Sequence, residues 1–144
     1  MSHYRHIMIA SDFSEHSETI IAKAQALAEL HHAKLSICHI VEDFPVTDFA
    51  YEPMVSVDIN MRDAMLESGK EQLAKQATKL GIPAEQQWIE CGTPNHDIVR
   101  FAQEHDVDLI VVGSHGRQGL KALLGSSAKA ILNHAQCDVL AVKL

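Results

Sequence analysis

No apolar run in this chain of 144 residues reaches the roughly 18 residues that a membrane span needs. Met1-Ser2-His3-Tyr4-Arg5 leads straight into a short apolar segment, without a signal-peptide h-region. Cysteine is sparse. Cys38, Cys91 and Cys137 are far apart, odd in number and set in strand-like sequence, and no C-x-x-C pair occurs. A disulfide framework and a cysteine metal site are thereby disfavoured, and buried reduced thiols in a cytoplasmic protein are expected. An excess of basic charge is also missing: the net charge of -7 argues against non-specific nucleic-acid binding. The chain has no Gly-Lys-Ser/Thr of a Walker A loop, no Gly-x-Gly-x-x-Gly fingerprint and no Gly-x-Ser-x-Gly nucleophile elbow. Ten histidines are many for this length, yet no two stand at the i,i+4 spacing of a helical metal site. They read as structural, and His115 alone sits inside a glycine loop.

What is present is an ordinary globular composition, 47% apolar and 22% charged, long enough for one domain over 1–144. Apolar runs alternate with segments of helical period. His6-Ile7-Met8-Ile9-Ala10 reads as a strand covered on both faces. Ser14 is a candidate cap for a helix in which Ile20, Ile21, Ala24, Leu27 and Ala28 recur at helical spacing. A second strand is expected over 35–41. Residues 42 to about 56 hold Pro45 and Pro53 without clear period and read as a loop. A second helix follows from about Val57 to Leu80, ended by Gly81, with Glu71 and Lys75 at i,i+4. Gln87–Cys91 reads as a more polar edge strand, and Thr93-Pro94 opens a helix whose buried stripe is Ile98, Phe101 and Ala102. Leu109–Val112 is the most apolar strand. A last helix over 126–134 and a strand over Val139–Val142 close the chain. Five strands joined by four helices imply an α/β fold: an open parallel sheet with helices on both faces.

In such a sheet, ligands sit beyond the carboxyl ends of the strands. Two segments stand there: Ala10-Ser11-Asp12-Phe13-Ser14 after the first strand, and Gly113-Ser114-His115-Gly116 after the fourth, with Gly125-Ser126-Ser127 further on. Glycines leaving a buried strand let the backbone approach a phosphate closely. Gly125-Ser126-Ser127 opens a helix, whose unpaired N–H groups favour an anion. Charge is uneven in the same sense: residues 109–144 carry four basic and one acidic side chain, and Arg117 and Lys121 stand near the glycines. The spacing alone suits a tight turn with a helix start equally well. Asp12 either accepts hydrogen bonds from ribose hydroxyls or caps the following turn. It lacks the neighbouring acid that a magnesium-dependent phosphoacceptor aspartate requires.

Taken in order, Ile7–Ser14, Leu35–Val41, Gly92-Thr93-Pro94 with Ile98, Asp108–Gly116, Gly125-Ser126-Ser127 and Cys137–Val142 resemble the universal stress protein family along essentially the whole chain. The glycine loop is similar to that of the family's ATP-binding branch. The resemblance implies a Rossmann-like sheet of the adenine nucleotide alpha hydrolase type, order 3-2-1-4-5, with ATP between the first and fourth strands. Carried over by position, Asp12 faces the ribose beside Ala10 and Ser11, and Ile40 meets adenine through its backbone. Val112 and Gly113 line the adenosine site. Gly116, Gly125, Ser126 and Ser127 hold the phosphates, with His115 and Arg117 in the same loop and Mg2+ as an optional companion of ATP. Eight residues, 117–124, separate Gly116 from Gly125, one fewer than in the family pattern, so the loop is tighter. The resemblance further implies a homodimer through the last strand, Val139–Val142.

The function expected on these grounds is a nucleotide-dependent regulatory module in stress response. No residue stands out as a general base for hydrolysis. Enzyme activity is therefore expected to be at most slow ATP hydrolysis or self-phosphorylation, with Ser126 or Ser127 as acceptors. A nucleotide-free dimeric interaction module is the other alternative, and flavin or nicotinamide binding is remote.

Overall fold

The computed structural model describes residues 3–13, 17–42, 52–113 and 126–143, with backbone alone for residue 42, for 52–60 and for 126–127. Five strands and four helices alternate: β1 (His6–Ala10), α1 (Ser17–His31), β2 (Lys34–Glu42), α2 (Glu52–Leu80), β3 (Gln87–Gly92), α3 (Pro94–Glu104), β4 (Leu109–Gly113), α4 (Ser126–His134) and β5 (Asp138–Val142). All strand pairs are parallel, in the order β3-β2-β1-β4-β5.

The period of two along each strand sorts the core into two layers. Met8, Ala10, Cys38, Ile40, Ile110 and Val112 pack against Ile98, Phe101 and Ala102 of α3 and Ile131 of α4. Ile7, Ile9, Ile37, Leu109 and Val111 pack against Ile20, Ala24 and Ala28 of α1 and Leu73 and Ala77 of α2. The chain steps one way across the sheet with α1 and α2 on one face, then the other way with α3 and α4 on the opposite face. Right-handed crossovers require that exchange of faces. β1 and β4 at the centre are buried almost throughout, whereas β3 and β5 at the edges are half-exposed.

Local chemistry sets the boundaries. α2 ends at Leu80 because Gly81 adopts φ 70°; its N–H donates to the Thr78 carbonyl and that of Ile82 to the Ala77 carbonyl, closing the last turn. α2 begins at Glu52, five residues before the Val57 expected from sequence, so only 43–51 separates it from β2. Pro53 suits the first helical turn, where its missing N–H has no partner to lose. Among the described side chains of α2, Lys70 pairs with Glu67 at 3.6 Å, and Glu71 and Lys75 are not within ion-pair distance. At the start of α3, Thr93 makes no side-chain cap. Instead Asp97 reaches back, its Oδ2 accepting the Thr93 N–H at 2.8 Å and its Oδ1 the Arg100 Nε–H at 3.2 Å. Ser14, the expected cap of α1, lies outside the described residues.

One buried polar pair ties the sheet's amino end together. His6 Nδ1–H donates to the His105 carbonyl at 2.9 Å, so in the neutral ring Nε2 accepts from Ser36 Oγ at 2.8 Å. Burial holds the imidazole below its ordinary pKa, against the opposing pull of the His105 carbonyl. Of the cysteines, only Cys38 is buried; Cys91 and Cys137 are half-buried, short of the expectation for all three. No described helix is long and apolar enough to cross a membrane.

Candidate functional site

β1 is flanked by β2 and β4, and the chain leaves it in opposite directions on its two sides. The carboxyl ends of β1 and β4 thus form the switch point of the sheet, the place where open α/β sheets receive ligands. Six of the residues singled out in the sequence gather at this edge. Ala10 ends β1, followed by Ser11 and a half-buried Asp12. Val112, buried, and Gly113, half-buried, end β4. Ile40 lies on β2, buried, two residues beyond the Cys38 that pairs with Ala10. Since Ile9 pairs with Val111, Ala10 and Val112 are neighbours on adjacent strands at this edge. His115, Gly116, Arg117 and Gly125 lie outside the described residues. Ser126 and Ser127 open α4 as expected, and their side chains are likewise outside the described part.

Ser11 is only 6% exposed, and each of its polar groups is taken up by the protein itself. Its N–H donates to the Cys38 carbonyl at 2.8 Å, and its carbonyl accepts from His39 Nδ1–H at 2.7 Å. Its hydroxyl donates to Gln76 Oε1 at 3.0 Å and accepts the Phe13 N–H at 3.3 Å. Gln76 Nε2 in turn donates to Ser17 Oγ at 3.1 Å, tying α2 to the first residue of α1. Ser11 therefore anchors the turn through its backbone and its hydroxyl. Asp12, next in the chain, is the acid this anchored turn carries.

The turn is strained. Phe13 has φ 58°, the left-handed region, which costs a residue with a Cβ roughly 1 kcal/mol. Its ring lies over the imidazole of His39, centroids 4.0 Å apart. Sequence reading missed His39 and Gln76 as parts of the site. For His39 the signal was there, a histidine among Ile37, Cys38, Ile40 and Val41 in a buried strand. Gln76 offers none, being one of many polar residues on a long helix.

The described residues bring an acid, flanking backbone and buried apolar side chains together at this edge. Among the described residues, no group of three or more His, Cys, Asp or Glu converges as metal ligands. Two cavities, of about 280 Å³ and 470 Å³, lie at the other end of the sheet, where both are lined by Cys137 at the start of β5.

A model of the universal stress protein family matches residues 3–143. Universal stress protein A homolog 1 of Coxiella burnetii is 36% identical over 140 residues, covering 97% of this chain and 96% of that protein. Among solved structures, the universal stress protein UspA of Lactobacillus plantarum superposes with a TM-score of 0.84 at 23% identity, covering 99% of both chains. A universal stress protein in complex with cAMP superposes at 0.63 and 24% identity, covering 99% of this chain and 98% of that one. With five parallel strands in the order 3-2-1-4-5 and relatives matched along their whole length, this chain belongs to the universal stress protein family.

Proposed function

We propose that this protein binds an adenine nucleotide, ATP, in the crevice between β1 and β4, and acts as a nucleotide-dependent regulatory module in stress response. The observation that carries the reading is the juxtaposition of two strand ends at the point where strand order reverses. One bears Asp12 on an anchored turn and the other ends in Gly113. Asp12 accepts from the ribose hydroxyls, and Val112 and Gly113 line the adenosine. Ile40 offers its backbone to adenine. The phosphates go to Gly116, Gly125, Ser126 and Ser127, aided by His115 and Arg117, and Mg2+ accompanies them where ATP brings it. The N-terminus of α4 favours such an anion. The reading is supported by the family and by a protein of the same fold held in complex with cAMP, also an adenine nucleotide.

A homodimer through β5 belongs to the same reading. β5 is an edge strand with half-exposed Val139, Leu140 and Ala141, and Leu132 beside it is 53% exposed. An apolar edge of this kind is normally covered. The expected compartment is the cytoplasm.

The test is equilibrium binding. ATP at about a hundredfold excess over its Kd should add about 2.7 kcal/mol to stability and raise Tm accordingly. Asp12→Ala should weaken that effect while leaving the Tm of the free protein within a few degrees. An unchanged Tm for wild type at millimolar ATP would sink the reading.

A further inference from the structure

We propose that His39 is a positioning residue for nucleotide binding: its bond to the Ser11 carbonyl and its ring contact with Phe13 fix the Ser11–Phe13 turn in the shape that presents Asp12 to the ribose. The inference rests on the nucleotide reading above and assigns a role to a residue that makes no contact with the ligand.

Three features carry it. The turn contains no glycine, yet Phe13 stands at φ 58°, a conformation it keeps only while its surroundings impose it. Among the described residues, contacts that bear on it include His39 Nδ1–H to the Ser11 carbonyl at 2.7 Å, the His39 ring against Phe13 at 4.0 Å, and the Ser11 hydroxyl bridging Gln76 and the Phe13 N–H. Lastly, His39 is itself held rigidly. It is 7% exposed on a strand paired on both sides, and α2 passes so close at Gly69 that a Cβ there would sit 3.8 Å from both the His39 and Phe13 rings. Asp12 thus stands between an anchored residue and a strained one. Loss of the His39 donor leaves the Ser11 carbonyl buried without that partner and lets Phe13 relax toward ordinary φ, carrying Asp12 with it.

The measurement is ATP affinity by calorimetry, well below the melting transition of each variant, so that a loss of stability alone does not move it. His39→Leu should bind ATP about tenfold more weakly than wild type, because Kd rises as the competent fraction falls. His39→Asn, which keeps a donor nitrogen near the place of Nδ1 but loses the ring over Phe13, should recover part of that loss, to about threefold above the wild-type Kd. Gln76→Leu removes the other anchor of Ser11 and should raise Kd about threefold. It carries the test should His39→Leu fail to fold. Wild-type Kd in His39→Leu, or in Gln76→Leu where that variant stands in, overturns the positioning role and leaves the nucleotide reading intact. A His39→Asn variant as weak as His39→Leu overturns the share assigned to the hydrogen bond. A wild-type protein that binds no ATP overturns both.

Discussion

His6 Nε2 and Ser36 Oγ meet 2.8 Å apart between β1 and β2, with His6 only 4% exposed and Ser36 fully enclosed. In the neutral ring, which burial favours, Nδ1 donates to the His105 carbonyl and Nε2 accepts from Ser36 Oγ. Burial is the largest influence and lowers the pKa; the His105 carbonyl and Asp108 raise it, while Lys34 and His105 lower it further.

Stability should therefore fall with acid in a defined window. The unfolded chain takes up the His6 proton near pH 6.5, the folded chain only below that. As pH drops from 6.5 toward the lower folded value the unfolded state binds more protons, and one such site costs at most about 1.4 kcal/mol per pH unit. Above 6.5 the contribution is fully present. His6→Asn keeps the donor to His105 without the titration, so its stability deficit relative to wild type should shrink between pH 7.5 and 5.5 in urea melts. A deficit constant over that range would show that His6 does not carry the effect.

The start of α3 offers a test by coupling. Gly92 and Asp97 are so close that a Cβ on Gly92 would collide with Asp97 Oδ2, the atom that accepts the Thr93 N–H. Gly92→Ala should displace the carboxylate, and Asp97→Ala removes it, each costing about 1–2 kcal/mol as the loss of a helix cap does. Because both act through one bond, the double variant should cost about as much as either single one. Additive losses in chemical denaturation would contradict the shared cause.

Thiol chemistry should separate the cysteines. Cys38 is 0% exposed, and burial pushes its pKa well above the ordinary thiol value. Cys137 is half-buried at the mouth of both cavities, its pKa also raised, first by burial and then by Asp138. Peptide mapping after alkylation of the folded protein should find Cys137 modified slowly and Cys38 only after unfolding. Comparable rates at the two positions would mean that α3 and α4 are not closed over Cys38.

Much of this architecture was legible because it rests on patterns of short range. Continuous apolar runs marked β1 and β4 as central, and the Thr93-Pro94 and Gly81 signals placed helix ends within a residue. The start of α2 was not legible. Pro53 and the lack of period before Val57 looked like a loop, yet a proline in the first turn costs a helix nothing. The strand ends bearing Asp12 and Gly113 stood out as places where apolar runs stop. What holds Asp12 in place did not, because Ser11 meets its partners from 28 and 65 residues away. Those contacts exist only after α1 has returned the chain to lay β2 beside β1 and α2 has crossed the same face.

The central claim is that an adenine nucleotide occupies the crevice between β1 and β4. The most direct measurement is chromatography of the nucleotide released when the purified protein is denatured, with Gly116→Val alongside, since a β-branched side chain fills the expected phosphate path. Wild type should release ATP in near-stoichiometric amount and the variant little. No nucleotide from either, together with a Tm that added ATP does not raise, would contradict the claim and leave the glycine loop as a turn.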